Sequence, residues 1–171
     1  MEYIHWIKSP AGILTVSSDG TNLSGLWIEG QKHFAKTLEK EVVEQNLPVF
    51  DAVRTWLDIY FSGKEPDFTL PLRPKGSPFQ KSVWNLLCKI PYGQTATYGE
   101  IAKQLERENE GKQASARAAG GAVSHNPISI IVPCHRVIGK SGSLTGYAGG
   151  LDVKIHLLQL EGVQLYSKGT G

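Results

Sequence analysis

The residues able to do chemistry cluster in one run, Asn126-Pro127-Ile128-Ser129-Ile130-Ile131-Val132-Pro133-Cys134-His135-Arg136-Val137. Within it a thiol, Cys134, is followed directly by an imidazole, His135. A free thiol with a pKa of about 8.5 is only slightly ionised at neutral pH, so nucleophilic use of Cys134 needs a base. His135 is the base at hand. Adjacent side chains do not naturally face each other, so the proton would pass through a water. Residues 128–132 are mostly β-branched and predict a short buried strand. Pro133 lacks an N–H, ends ladder pairing and holds Val132 extended. Cys134 is thus expected at a strand's end, where a side chain can meet a ligand. The triplet Pro-Cys-His alone does not decide this, because most free cysteines are small buried hydrophobes.

The elements that must position this run lie on both sides of it. Ser77-Pro78-Phe79-Gln80 predicts a helix start, with Ser77 as cap, proline in the first position and Gln80 closing a capping box. Phe79, Val83, Leu86, Leu87 and Ile90 then fall on one face, with Cys88 beside it as a structural residue. Thr97-Tyr98-Gly99-Glu100 repeats the same logic. Ile101, Ala102 and Leu105 form the apolar face of that second helix, followed by a polar connector over 106–114. A helix over 115–125 is built almost wholly of small residues. Its adjacent Gly120 and Gly121 cost about 2 kcal/mol relative to alanines. Such a surface suits a helix that something must approach closely, with Arg117 projecting from it. A tight helix–helix contact with Arg117 merely solvated is the other reading. The three pieces together read as a helix-turn-helix, although the connector is longer and more acidic than that motif's usual turn.

Beyond the cysteine, residues 139–150 form a glycine-rich loop without the spacing of a phosphate-binding motif. Residues 151–160 predict an apolar final helix stopped by Gly162. Glu161 then sits at a helix C-terminus, which the macrodipole disfavours by a few tenths of a kcal/mol. Sequence physics leaves open whether it is exposed and idle. The tail beyond Leu165 is expected to be disordered.

The first half carries no recognisable chemistry. Residues 12–18 and 23–28 predict a hairpin around Asp19-Gly20-Thr21-Asn22, and 3–7 add an earlier strand. Phe34, Leu38 and Val42 recur at helical spacing, predicting a helix over 31–45; another is predicted over 49–61. A linker over 63–76 contains an extended piece at 68–70. Two domains are expected, 1–70 as an α/β scaffold and 71–171 as the DNA-binding and active-site unit.

Composition bounds the partners. The chain has 171 residues, a formal net charge of +2, two cysteines and five scattered histidines. No apolar run spans a membrane, no secretory signal opens the chain, and no zinc spacing or disulfide framework is present. A reducing, cytoplasmic protein without metal or cofactor is expected. Between Asp67 and Glu100 the charges are only Arg73, Lys75, Lys81 and Lys89, and between Glu110 and Asp152 only Lys112, Arg117, Arg136 and Lys140. Two acid-free basic segments are the arrangement expected of a half that faces phosphates.

Pro133-Cys134-His135-Arg136, preceded by Arg117 and Asn126, resembles the active-site signature of the O6-alkylguanine-DNA alkyltransferases, the methylated-DNA–protein-cysteine methyltransferases. The resemblance covers roughly 50–162. It implies a small N-terminal α/β domain, ribonuclease H-like, and a mainly helical C-terminal domain with a winged-helix-like helix-turn-helix. That unit would enter the minor groove, with Thr97, Arg117, Ala118, Gly120 and Gly121 against DNA and Arg117 replacing a nucleotide rotated out of the duplex. Asn126 matches the residue tying the recognition helix to the active-site strand, and Tyr98 the tyrosine that hydrogen-bonds the flipped guanine. Tyr147 would line the base pocket, and the Ala148 N–H would face O6. Many relatives carry serine there, but a main-chain donor tolerates alanine. Carbonyls of Cys134 and Val137 would accept from the exocyclic amine. Glu161 matches the acid that orients His135.

The function implied is single-turnover transfer of an alkyl group from O6-alkylguanine in double-stranded DNA, with O4-alkylthymine a second candidate substrate, by a monomer needing no protein partner. A non-catalytic sensor of alkylated DNA, a helix-turn-helix regulator and a thiol hydrolase are the alternatives. Cys134 speaks against the first, sequence-specific binding would favour the second and repeated turnover the third.

Overall fold

The computed structural model describes residues 1–108, 114–144 and 146–165, and divides into two compact units. The first comprises Met1–Lys75 together with Pro127–Ser129. Its sheet runs β3-β2-β1-β4, from strands β1 (Glu2–Ser9), β2 (Gly12–Ser18), β3 (Leu23–Ile28) and β4 (Val42–Glu44). The β2–β3 turn closes because the Asp19 carboxylate accepts from the backbone N–H groups of Thr21 and Asn22. Those bonds lower the Asp19 pKa to about 2. Leu14, Val16, Leu26 and Ile28 are buried on the sheet, and α1 (Pro48–Phe61) buries Val49, Phe50, Val53, Leu57 and Tyr60.

The helix predicted over 31–45 does not form. His33 and Ala35 take positive φ (56° and 54°), and Val42–Glu44 instead pairs in parallel with β1. Helical spacing is a weak signal against the ladder bonds an unpaired strand edge offers. The buried Glu2 carboxylate fixes this segment, accepting from the Glu39 N–H, the Ser24 hydroxyl and the Lys75 ammonium at 2.8, 2.7 and 2.6 Å. The extended piece expected at 68–70 makes its ladder contact slightly later, where Leu72 bridges Leu23.

The strand expected over 128–132 is likewise replaced. Only Ile128 pairs, through a single parallel bridge to Leu26, before the chain turns. The Leu26 N–H donates to the Pro127 carbonyl and the Ser129 N–H to the Leu26 carbonyl. Gln31 Oε1 accepts from the Ser129 hydroxyl at 3.1 Å. Ile130 then adopts φ 71°, a strained conformation for a β-branched residue. Ile128, Ile130 and Val132 are all buried, so the β-branched run serves as packing, not ladder.

The second unit holds α2 (Pro78–Leu87), β5 (Ala96–Thr97), α3 (Tyr98–Glu108), α4 (Ala116–Ser124), a 3-10 turn (Cys134–Arg136), β6 (Val137–Ile138) and α5 (Leu151–Leu160). Both capping boxes form: Ser77 with Gln80, and Thr97 with Glu100. α3 extends past the expected start of the connector at Glu106, with Gln104 bonded to Arg107 and Glu108 across that last turn. The rest of the connector, 109–113, and the tail beyond Leu165 lie outside the described residues. Val83, Leu87 and Leu105 form the core between the helices, and Trp84 Nε1 donates to the Ala122 carbonyl at 2.9 Å. β5 and β6 pair in parallel, Ala96 opposite Val137, which sets the start of α3 beside the Cys134 turn.

Candidate active site

Pro133 (φ −80°, ψ 62°) centres an inverse γ-turn, in which the Cys134 N–H donates to the Val132 carbonyl at 2.8 Å. The same carbonyl accepts from Asn126 Nδ2 at 2.9 Å, so both its lone pairs are used. Asn126 follows α4, and its side chain and that of Tyr147 both act on the Cys134 thiol, favouring its ionised form. The sulfur is not open to solvent as a strand-end residue would be: Cys134 is 4 % exposed. Burial pushes its pKa up, while Asn126, Tyr147 and the Lys154 charge pull it down.

His135 and Glu161 are both buried, and His135 Nε2 lies 2.5 Å from Glu161 Oε2. The other carboxylate oxygen accepts from Arg136 Nε at 2.7 Å and from the Gly93 N–H at 3.1 Å. Glu161 is therefore neither exposed nor idle; three donors offset its unfavourable place at the C-cap of α5. A Cβ on Gly93 would stand 3.1 Å from the Glu161 carbonyl, and its φ is 78°, so glycine is needed there on both counts. Burial lowers the His135 pKa; Arg136 and Lys154 act in the same direction and Glu161 opposes them. A carboxylate can only accept, so the neutral imidazole carries its proton on Nε2 and presents Nδ1 as the basic atom.

α4 sorts its small residues onto two faces. Ala119, Ala122 and Val123 are buried against the helical core. Arg117, Ala118 and Gly121 are exposed together, and Ser115 caps the helix by accepting from the Ala118 N–H. A Cβ on Gly121 would meet nothing within 4 Å, and one on Gly120 would only touch the Tyr98 ring at 3.5 Å. Neither glycine is demanded by packing within the protein. Tyr98, half-buried in the first turn of α3 after its cap Thr97, lies over Gly120.

The structure thus gathers Asn126, Cys134, Tyr147, His135 and Glu161 into one cluster, joins Tyr98 to Gly120, and leaves Arg117, Ala118 and Gly121 as an outer face. Ala148 occupies the turn closed by the Gly150 N–H and the Tyr147 carbonyl. Two residues are unforeseen. Arg136, read as part of a basic surface, is turned inward, bound to Glu161 and the Ile90 carbonyl with its guanidinium 5.7 Å from the Tyr92 ring centroid. Lys154 is 1 % exposed and donates to the Val137 carbonyl at 2.6 Å. Its place beside Leu157 and Leu158 on the apolar face of α5 is a signal readable at helical spacing. The expected phosphate-facing set loses Arg136 and also Lys75, which binds Glu2; Lys81, Arg117 and Lys140 remain exposed.

Comparison with known proteins covers nearly the whole chain. The model for the 6-O-methylguanine DNA methyltransferase ribonuclease-like domain matches residues 3–74, and that for the DNA binding domain of the same methyltransferase matches 78–163. A methylated-DNA–protein-cysteine methyltransferase of Haemophilus influenzae is 41 % identical over 98 % of this chain and 90 % of its own length. One from Methanosarcina mazei is 48 % identical over 93 % of this chain and 96 % of its own. The crystal structure of Mycobacterium tuberculosis OGT in complex with DNA superposes with a TM-score of 0.81 at 42 % identity, covering 93 % of this chain and 92 % of that one. With nearly its whole length matched, and the Cys134–His135–Glu161 cluster inside the matched C-terminal domain, the chain belongs to the 6-O-methylguanine DNA methyltransferase family.

Proposed function

We propose that the protein repairs DNA by direct reversal, moving the alkyl group of O6-alkylguanine onto Cys134 in a single irreversible turnover. The observation that carries this reading is the bond from His135 Nε2 to Glu161 Oε2, which leaves Nδ1 free of the carboxylate on the residue next to the thiol. Burial keeps His135 neutral and able to take a proton. Through a water, Nδ1 withdraws the Cys134 proton, and the thiolate attacks the alkyl carbon in line with the C–O6 bond.

As that bond breaks, the electron pair goes to guanine O6. Tyr98 at N3 and the Ala148 N–H at O6 donate to the developing anion, and the proton held by His135 returns to the base. Val137 offers its second carbonyl lone pair to the exocyclic amine, the first being taken by Lys154. The Cys134 carbonyl accepts alongside it. Tyr147 lines the pocket that the base enters. The product is a thioether, from which thiolate is a poor leaving group, so each molecule reacts once. Within a duplex the O6 atom is out of reach and the base must flip, at a cost of a few kcal/mol. Arg117 fills the vacated space, while Thr97, Ala118, Gly120 and Gly121 let α4 lie against the minor groove. Residues 1–70 act as scaffold and 71–171 carry DNA binding and chemistry. A working thiol suits a reducing compartment, which supports the cytoplasm as the place of action.

Intact mass after incubation with an oligonucleotide carrying O6-methylguanine tests the reading. The expected result is one methylene-sized increment on the Cys134 peptide in one-to-one yield. Repair by a Cys134→Ala variant, or repeated turnover by the wild type, would overturn it.

A further inference from the structure

A helix leaves its last four carbonyls without intrahelical donors, and in α4 that end begins at Gly121, directly after Gly120. Three of those carbonyls are served from nearby. The Gly121 carbonyl accepts from the Ser124 hydroxyl at 2.9 Å and from His125 Nδ1 at 2.8 Å. The Val123 carbonyl accepts from the Asn126 N–H at 3.2 Å. The Ala122 carbonyl accepts from the His125 N–H at 3.2 Å and, from the core side, from Trp84 Nε1 at 2.9 Å. Of these donors only Trp84 belongs to another element, α2, and it is 2 % exposed. An indole has a single N–H and no acceptor, so burying it there commits it to that carbonyl. The ring has no room to back away on its far side, where a Cβ on Gly76 would stand 2.4 Å from Trp84 Cη2. The turn it grips serves two purposes. α4 presents Arg117 and Gly121 outward, and the residue after its C-cap is Asn126, whose amide holds the Val132 carbonyl that also receives the Cys134 N–H.

We propose that Trp84 is a positioning residue for alkyl transfer: its indole N–H fixes the C-terminal turn of α4 and, through Asn126, the turn that carries Cys134. This rests on the alkyl-transfer reading above and adds what keeps the DNA-facing helix and the nucleophile in one register. The glycines that open α4 to close approach also weaken it as a helix, and its small side chains give little area to hold it by packing. A directional bond from α2 supplies the constraint that packing does not. Without that bond the last turn of α4 loosens and Asn126 leaves its fixed place. The Val132 carbonyl, which orients the Cys134 N–H, then loses its second donor. Trp84 itself is buried and makes none of the bonds of the transfer, so the chemistry is the one already described.

The test separates the limiting single-turnover rate on an O6-methylguanine duplex from the duplex concentration that gives half of it. Both are measured on the full chain at a temperature where urea melts show every variant folded. Trp84→Phe keeps an aromatic ring and deletes the donor. Benzothienylalanine at position 84, introduced by amber suppression, puts sulfur in place of the N–H and deletes the donor alone. In each, the limiting rate should fall and the half-saturating concentration rise, their ratio dropping about fivefold or more, the worth of one net hydrogen bond. Amide exchange at His125 and Asn126 in the free protein should quicken in both. Val83→Ala opens a cavity on the same helix without touching that bond, so it should lower the melting midpoint and leave both kinetic quantities and both amides unchanged. Wild-type kinetics in the benzothienyl variant overturn the proposal. So do equal kinetic losses in Val83→Ala, which would assign them to packing. If Trp84→Phe does not fold, the benzothienyl variant decides alone. If the wild type fails to repair O6-methylguanine, the reading above falls, and the exchange rates still decide whether the indole N–H fixes the end of α4.

Discussion

Replacing Glu161 by glutamine tests the site at its most constrained point. The change is nearly isosteric, but an amide can donate where the carboxylate can only accept. Its oxygen can still receive Arg136 Nε and the Gly93 N–H, so its nitrogen faces His135 Nε2. To accept that donor, the imidazole must move its proton to Nδ1, the atom needed as base. In serine hydrolase triads the corresponding acid-to-amide change lowers turnover by about 10⁴ through the wrong tautomer. A loss of about 10³–10⁴ in the single-turnover rate is expected here. The variant also strips Arg136 of its buried ionic partner, at a cost of about 3 kcal/mol. The two effects are separable. In Glu161→Gln/Arg136→Met the stranded charge is gone, so much of the stability should return while the rate stays low. Rapid-quench assays on an O6-methylguanine duplex, at a temperature where denaturant melts show every variant folded, give the comparison. A Glu161→Gln rate within threefold of wild type, or recovery of rate along with stability in the double variant, would refute the tautomer argument.

Other outcomes follow from the same geometry. Gly121→Ala should raise stability by about 0.5–1 kcal/mol, since its Cβ meets nothing, yet weaken duplex binding in a gel or anisotropy titration. Arg117→Ala should slow repair of a base in duplex DNA while leaving alkylation of Cys134 by iodoacetamide unchanged. The depressed pKa of Lys154 carries a pH signature. As pH falls from about 10.5 to about 8, the unfolded chain takes up a proton there that the folded protein resists. Wild type should therefore lose about 3 kcal/mol relative to Lys154→Met over that window, measured by urea melts at several pH values.

Local signals carried part of this structure. The β2–β3 hairpin and both capping boxes are set by residues within a few positions of one another, and they form where the sequence places them. Tertiary pairing decided the rest. β4 exists because the β1 edge has ladder groups to satisfy, which no pattern within 31–45 reveals. The run before Cys134 has strand composition, but the Asn126 bond to the Val132 carbonyl and the single bridge to Leu26 close it into a loop. The parallel β5–β6 pair, two residues long on each side, is too short to leave a periodicity. In the site, the thiol, imidazole and acid were found by type and motif. Arg136 turned inward because the buried Glu161 carboxylate needs a cation beside the neutral His135, a requirement visible only once α5 is folded back onto the Cys134 turn.

The partner of His135 lies 26 residues further along the chain, at the end of the last described helix. Cys134 and His135 are therefore synthesised before Glu161 exists. Until that acid emerges and docks, the imidazole has no fixed tautomer and the sulfur no assembled surroundings. The pairing of imidazole and acid that fixes the proton is therefore completed only when the end of α5 has packed against the Cys134 turn.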